Sequence, residues 1–184
     1  WIKLLPNLEA VRNSEYHPLD WFFSGQIYPT HPEWTDAIRA LPRRGKVFEV
    51  DRQKHIYPLT PLEYMQHLAS AKVLPCRPGA QVPETGRVYE ALEVGTIPIV
   101  SNFPGAEGWK IRYNWPKYWE YLFGEPIPFP VIDSPEQLAD AVRETLDGWP
   151  ENARMIRNWW QDYKQRLTKE LREEVVALRG NCAR

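Results

Sequence analysis

The sequence predicts an α/β fold, in which a parallel sheet carries helices on both faces. Short apolar runs rich in β-branched and aromatic residues alternate with helical patterns of about ten residues, which is typical of βαβ units. The predicted strands at 21–23 and 97–100 are continuous apolar runs, as expected for strands covered on both faces. A length of 184 residues suits one domain of this class. We therefore expect a Rossmann-like sheet followed by a long C-terminal helix.

The first predicted elements are two strands with a helix between them. The apolar run 21–23 ends at Ser24 and Gly25, which indicates a buried strand that enters a loop. Residues 32–41 place apolar side chains at three-four spacing, which predicts an amphipathic helix. Residues 46–50 form the second predicted strand.

The next helix has a strong start signal. Thr60 suits the N-cap, Pro61 the first helical position and Glu63 the third position of a capping box. We expect this helix to run to about Ser70. Its predicted buried side chains are Leu62, Met65 and either Leu68 or Ala69.

The middle of the chain repeats the strand–loop–helix order. Residues 72–75 predict a strand, and residues 77–84 form a loop rich in proline and glycine. Residues 85–94 predict a helix that Gly95 closes, because glycine accepts the left-handed conformation at a helix end. Residues 97–100 predict the following strand.

The last third predicts a short strand and two helices. After a long loop, residues 131–132 form the strand, and Ser134 is the N-cap of a helix over residues 135–146. A final helix over residues 152–178 would be roughly 40 Å long. A compact domain of this size has a radius of gyration near 16 Å, estimated from chain length. The far end could therefore overhang, with Leu171, Val175 and Leu178 exposed; the alternative is a helix that curls along one flank of the domain.

Composition bounds the possible partners. The net charge of −1 supplies no positive field for generic nucleic-acid binding. No apolar run approaches 18 residues and no signal peptide is visible, so we expect a soluble, cytoplasmic protein without a membrane span. Cys76 and Cys182 are too few for a disulfide framework or a zinc site, and no Asp-x-Asp pair is present, so no metal is expected.

The helix at 85–94 carries the most informative pair of residues. Ligands in open α/β sheets bind beyond the carboxyl ends of the strands, near helix N-termini that favour phosphate. Arg87 and Glu90 lie three residues apart, off the sheet-facing side of this helix. Arginine can bind phosphate with two donors, and a carboxylate can accept from two ribose hydroxyls. On spacing alone, however, an ordinary exposed Arg87–Glu90 ion pair is the favoured explanation.

The motif around this pair resembles a known family. Residues 70–100 resemble the carboxy-terminal, donor-binding half of GT-B-type glycosyltransferases, particularly the exostosin-like group. Segments 21–26, 118–124 and 128–132 extend the likeness, which covers roughly residues 20–146. The residues that match the family motif are Glu84, Thr85, Arg87, Glu90, Ala91, Leu92, Gly95, Pro98 and Ile99.

The resemblance implies that the chain binds a nucleotide-sugar, with UDP as the expected nucleotide and no cofactor. Glu90 would bind the ribose, and Arg87 with loop amides would hold the diphosphate. Val82 stands where the commoner retaining pattern has a first glutamate, and the nearest acid is Glu84. The acid that contacts the sugar and the stereochemical outcome therefore stay open. The expected donor-binding residues are Arg87, Glu90, Glu84, Thr85, Gly86, Gly25, Gln26 and Arg77.

The resemblance also implies a domain organisation. Residues 1–20 would be a lead-in segment, residues 21–150 the nucleotide-sugar-binding domain, and residues 151–184 a helix that crosses to an N-terminal acceptor domain of the parent chain. That domain would bind a glycan or another hydroxyl acceptor and would supply the catalytic base. No catalytic residue is assigned in this chain, which we expect to be inactive as a transferase by itself.

Two other functions compete with this one. A degenerate glycosyltransferase could serve as a non-catalytic nucleotide- or glycan-binding module. A phosphate-binding oxidoreductase domain is weaker, since no Gly-x-Gly-x-x-Gly follows a strand.

Several further residues have an ordinary structural explanation beside a functional one. Ser24, Gly25 and Gln26 could offer amides to phosphate or form a plain turn. His31 and His55 are expected to be solvated loop residues, and Cys76 a small buried side chain. A band of aromatic residues is expected to pack a loop in preference to stacking on sugars: Trp109, Tyr113, Trp115, Tyr118, Trp119, Tyr121 and Phe123.

Overall fold

Five parallel strands form one sheet in the order β2-β1-β3-β4-β5. The structure is a computed structural model that describes residues 10–11, 16–26, 32–42, 44–51, 53–79, 82–102 and 117–182. The parallel sheet confirms the predicted fold class. The strands are β1 Leu19–Gln26, β2 Gly45–Val50, β3 Ala71–Pro75, β4 Ile97–Ser101 and β5 Val131–Ile132.

Helices connect these strands and cover both faces. A 3₁₀ turn at Pro135–Gln137 precedes the fifth helix. The helices are α1 Pro32–Arg39, α2 Pro61–Ala69, α3 Gly86–Val94, α4 Tyr118–Phe123, α5 Leu138–Asp147 and α6 Glu151–Cys182.

Two hydrophobic cores lie on opposite faces of the sheet. Along β1, Trp21 and Phe23 belong to one core and Phe22 to the other, because successive side chains of a strand point to opposite faces. The first core contains α1 and α5 residues such as Trp34 and Leu138. The second contains residues of α2, α3, α4 and α6. Because both faces are covered, β1 and β4 contain continuous apolar runs, whereas the edge strand β2 keeps Lys46 and Glu49 exposed.

The predicted start of α2 is confirmed, but one of its buried residues is not. Thr60 and Glu63 form a reciprocal capping box, with the Thr60 amide 2.8 Å from Glu63 Oε2. Met65 and Leu68 are buried, whereas Leu62 is 40% exposed, so its predicted burial is wrong. Leu62 lies in the first turn of α2 and belongs to neither hydrophobic core, so its side chain faces solvent.

The ends of α3 and α5 follow the sequence signals with one change. Gly95 closes α3 in the left-handed conformation, with φ of 84°. Ser134 makes a capping box with Gln137, as its N-cap pattern predicts. The first turn after Ser134 is 3₁₀, however, and the α-helix begins only at Leu138.

Helix α4 lies where the sequence pattern predicts a loop. Trp119 and Phe123, one turn apart, are buried, and the Trp119 indole donates to the Ser101 carbonyl at 3.0 Å. Phe123 packs against Trp159 and Tyr163 of α6, each with 5.2 Å between ring centroids. This part of the aromatic band therefore packs the fold, as expected. Tyr118 also packs against Trp119, whereas Tyr121 is 73% exposed, so the packing prediction is wrong for Tyr121. Trp109, Tyr113 and Trp115 lie outside the described residues.

The C-terminal helix α6 is docked at its start and exposed at its end. Its 32 residues correspond to about 48 Å. Ile156 and Trp160 are buried, and Glu93 of α3 accepts hydrogen bonds from Trp160 Nε1 at 3.0 Å and Lys164 Nζ at 2.6 Å. Farther along, Leu171 is 58% exposed, and Val175 and Leu178 are exposed too, so the predicted overhang is confirmed. None of the described helices is long and apolar enough to cross a bilayer.

Candidate functional site

A cleft of about 610 Å³ opens at the carboxyl edge of the sheet, within the range typical of small-molecule sites. It lies where the strand order reverses between β1 and β3, the point at which open α/β sheets bind ligands. The ends of β1 and β2, the loop after β3, and helices α2 and α3 all contribute to its wall. The lining residues are Phe23, Ser24, Gln26, Val50, Tyr57, Tyr64, Arg77, Pro78, Gly79, Thr85, Gly86, Arg87 and Glu90.

Arg77 ties together the two strands that flank the reversal point. Its side chain is buried, and Nη1 donates to the Gln26 carbonyl at 3.0 Å. This bond joins the end of β1 to the residues that follow β3. Both residues line the cleft, as predicted, and Arg77 adds a fixed positive charge to its wall.

Arg87 lies against the end of β1, where a glycine leaves room for it. A Cβ built on Gly25 would lie only 3.0 Å from Arg87 Nη2, so Gly25 permits this close approach. Arg87 is half-buried and lines the cleft. Within the part of the chain that the structure describes, its guanidinium has no hydrogen-bond or ion-pair partner. Its donors are therefore available to an anion in the cleft.

Glu90 lies one turn after Arg87 on α3, yet the two side chains do not pair. The Glu90 carboxylate accepts a hydrogen bond from the Tyr64 hydroxyl of α2 at 2.7 Å. Among the described ion pairs none joins Arg87 to Glu90, and neither residue is fully exposed. The spacing alone predicts an ordinary surface ion pair between Arg87 and Glu90, and that prediction is wrong.

The start of α3 contributes Thr85 and Gly86. Thr85 occupies the N-cap position in an extended conformation, but its side chain makes no cap hydrogen bond. Its Oγ1 atom is buried without a partner among the described residues. A Cβ on Gly86 would meet nothing within 4 Å, so the helix start borders open space in the cleft. Helix N-termini present unsatisfied N–H groups and favour anions.

Glu84 is the one predicted donor-binding carboxylate that the structure places elsewhere. It is not among the residues that line the cleft. Its carboxylate accepts hydrogen bonds from the hydroxyls of Tyr89 and Tyr118, the latter at 3.2 Å. Glu84 therefore connects the end of the 77–84 loop to α3 and α4.

This contact predicts a loss of stability in alkaline solution. Burial, with the charge of Glu84, raises the pKa of Tyr118 to about 12, and burial followed by the Glu84 bond raises the pKa of Tyr89 as well. An unfolded tyrosine titrates near 10. Between these pH values the folded protein keeps tyrosine protons that the unfolded chain releases. The contribution of the two tyrosines to the free energy of unfolding is therefore complete below about pH 10 and is lost as the pH rises toward 12. Urea unfolding at pH 8 to 11.5 measures this decline.

The variant Tyr118→Phe is the control for that prediction. It removes the hydroxyl and should lower stability at pH 8, while making the alkaline decline shallower. An identical pH slope in the two proteins would contradict a role for Tyr118.

The remaining candidates do not join the cleft. Cys76 is buried in the core, where burial raises the pKa of its thiol, in agreement with the predicted packing role. His55 is exposed in a turn with φ of 53°, and His31 lies outside the described residues. Among the described residues, no group of three or more His, Cys, Asp and Glu side chains could hold a metal ion.

Three residues that line the cleft, Tyr64, Val50 and Tyr57, lie outside the family motif and were not predicted from the sequence. Tyr64 lies 26 residues before Glu90, and only the side-by-side packing of α2 and α3 brings them together. Val50 is the last residue of β2, Tyr57 lies in the segment that follows it, and both line the cleft. The position of Val50 at the end of a predicted strand was the available signal, because all parallel strand ends share one edge of the sheet.

No family model, curated protein or solved structure matches this chain.

Proposed function

We propose that this chain is the donor-binding domain of a glycosyltransferase and holds a nucleotide-sugar in the cleft at the carboxyl edge of the sheet. The observation that carries the proposal is the set of Arg87, Glu90 and the α3 N-terminus around one cleft. Among the described residues, the Arg87 donors have no acceptor, and Glu90 has a carboxylate oxygen that Tyr64 does not engage. These groups match a diphosphate next to a ribose.

Electrostatics supports the phosphate part of the proposal. Among the described lining residues, the guanidinium groups of Arg77 and Arg87 stand against one carboxylate, that of Glu90. The partial positive charge at the start of α3 acts in the same direction. An anion therefore gains more in this cleft than a neutral sugar alone would.

An apolar recess beside the cleft supports the nucleoside part. A cavity of about 330 Å³ adjoins the cleft and shares Ser24, Val50, Tyr57 and Tyr64 with it. Pro58 and Leu59 complete an apolar wall, on which a planar base could pack. In the proposal the base lies here, the ribose near Glu90 and the diphosphate near Arg87.

A panel of nucleotides tests the proposal directly. UDP, GDP and ADP and their sugar conjugates should raise the unfolding temperature, because binding to the folded state alone stabilises it. Calorimetry should then show one site per chain. If no member of the panel binds at millimolar concentration, the proposed function is wrong.

The variant Glu90→Gln tests the ribose contact. The native protein should bind a 2′-deoxy nucleotide about 10- to 150-fold more weakly than its ribose form, the loss expected for a hydrogen bond to a charged group. Glu90→Gln should bind the ribose form more weakly and discriminate much less, because an amide replaces one acceptor by a donor. Calorimetric titrations of both nucleotides measure the two ratios.

The matched control is Glu93→Gln, the same change one turn later on α3. Glu93 contacts α6 and does not line the cleft. It should affect stability and leave the discrimination unchanged. Equal discrimination in the native protein and in Glu90→Gln would remove Glu90 from the ribose site.

A non-catalytic nucleotide-binding module is the second proposal. It is favoured by the lining residues, among which the described ones include no histidine and no carboxylate besides Glu90. The cleft thus offers binding groups without an evident base for an acceptor hydroxyl. Under the first proposal, a separate acceptor domain supplies that base. Nucleotide-sugar turnover by the parent protein would support the enzyme, and binding without turnover would support the module.

A further inference from the structure

A single hydrogen bond sets the direction of the Glu90 carboxylate. Glu90 Oε2 accepts from Tyr64 Oη at 2.7 Å, and within the described residues this is the only hydrogen bond of that carboxylate. The bond crosses from α2 to α3, so it also joins the two helices that form one side of the cleft. Among the described residues, Glu90 Oε1 accepts no hydrogen bond, and Glu90 lines the cleft.

Tyr64 is itself held firmly by the core. Its ring packs against Phe22 of β1, with 5.7 Å between centroids, and lies at the border of the second hydrophobic core. Burial, followed by the charge of Glu90, raises the pKa of the Tyr64 hydroxyl, which keeps its proton at neutral pH. The hydroxyl is therefore a donor at a fixed position.

Without this donor, Glu90 has an obvious alternative partner. Arg87 precedes it by three residues on the same helix, a spacing at which opposite charges commonly pair. Arg87 has no partner among the described residues, yet the two groups stay apart. The Tyr64 hydroxyl is the described partner that the Glu90 carboxylate engages instead.

We infer that Tyr64 is a positioning residue, which holds the Glu90 carboxylate toward the ribose and away from Arg87. The inference rests on the proposed function, because it assigns Tyr64 a role in nucleotide recognition. If the bond is removed, Glu90 and Arg87 pair with each other. The ribose then loses its acceptor and the diphosphate loses its donors at the same time.

The test is the change Tyr64→Phe, which keeps the ring in the core and removes only the hydroxyl. Affinities are measured by calorimetry for UDP, GDP and ADP and for their 2′-deoxy forms, in folded protein checked by circular dichroism. We expect the variant to bind the ribose forms at least tenfold more weakly, the loss of a charged hydrogen bond. We also expect the ribose-to-deoxyribose ratio of affinities to fall to less than threefold.

Tyr89→Phe is the matched control. It removes another half-buried hydroxyl bonded to a carboxylate, on a residue of α3 that does not line the cleft. Tyr89→Phe should keep the native ribose-to-deoxyribose ratio of affinities, even if it lowers the free energy of unfolding. A double-mutant cycle separates an indirect role from a direct one: in a Glu90→Gln background, Tyr64→Phe should cost little further affinity.

The outcomes separate this inference from the proposed function. If the native protein binds a ribonucleotide and prefers it to the 2′-deoxy form, but Tyr64→Phe keeps that preference, the positioning role is wrong and the binding site stands. If the native protein binds none of the nucleotides, the proposed function fails, and the inference fails with it. If Tyr64→Phe still weakens binding strongly in the Glu90→Gln background, Tyr64 contacts the nucleotide itself.

A measurement on the native protein tests the inference even if the Tyr64→Phe variant does not fold. In protein with labelled tyrosine, the hydroxyl proton of Tyr64 should give a protected resonance in NMR spectra, and saturating UDP, GDP or ADP should leave it protected. Loss of that protection in the complex would show that Glu90 releases Tyr64 on binding, which overturns the inference.

Discussion

Replacing Arg87 by alanine is expected to weaken the binding of a nucleotide diphosphate by about 1.5–3 kcal/mol, roughly 10- to 150-fold, the range for a hydrogen bond to a charged group. Arg87 lines the cleft, and its guanidinium has no partner among the described residues. Arg87→Lys should restore only part of the affinity, since an ammonium group cannot donate two parallel bonds. Calorimetric titration with UDP, GDP and ADP measures both variants.

The control for this prediction is Arg143→Ala. Arg143 is an exposed arginine of α5 that pairs with Asp140, away from the cleft. It should bind nucleotide as the native protein does. Unchanged affinity in a folded Arg87→Ala variant would remove Arg87 from the site.

Replacing Trp119 by alanine is expected to have the largest effect on stability. The side chain is 1% exposed, its indole donates to the Ser101 carbonyl, and its ring contacts Phe123 and Phe129. Deleting a buried ring of this size usually costs about 3–5 kcal/mol. For a chain of this length, that corresponds to a fall of about 6–20 °C in unfolding temperature, which thermal or urea unfolding can measure.

Tyr121→Ala is the comparison within the same helix. Tyr121 is 73% exposed, so its removal should change the free energy of unfolding by much less. Equal losses at Trp119 and Tyr121 would mean that α4 does not pack as described.

The fold was predictable where short-range physics decides the local structure. The apolar run around Phe22 and the Thr60–Glu63 capping box specify a strand and a helix start by themselves. Helix α4 was not predictable in this way. It has only six residues, and its N-cap residue Lys117 makes no side-chain cap bond. Its helix is stabilised by the burial of Trp119 and Phe123 against distant residues, which no local pattern contains.

The candidate site was predictable to the same extent. The pattern around Arg87 and Glu90 placed both on one helix at the correct edge of the sheet, and the structure brings them to one cleft with Gln26 and Arg77. The partners of the acids were beyond a sequence argument. Tyr64 engages Glu90 across 26 residues, and Tyr118 engages Glu84 across 34, so each contact depends on how whole helices pack.

Helix α3 has contacts on several sides, and they restrict its rotation about its own axis. On one side, the helix buries its own residues Val88, Ala91 and Leu92. On other sides, Glu90 accepts a hydrogen bond from Tyr64 of α2, and Glu93 accepts hydrogen bonds from Trp160 and Lys164 of α6. A rotation that moved Arg87 out of the cleft would have to break these contacts together. Because several independent contacts hold α3, the loss of one of them, such as the bonds of Glu93, should leave Arg87 and Glu90 pointing into the cleft. The orientation of the binding groups is therefore protected against single substitutions outside the cleft.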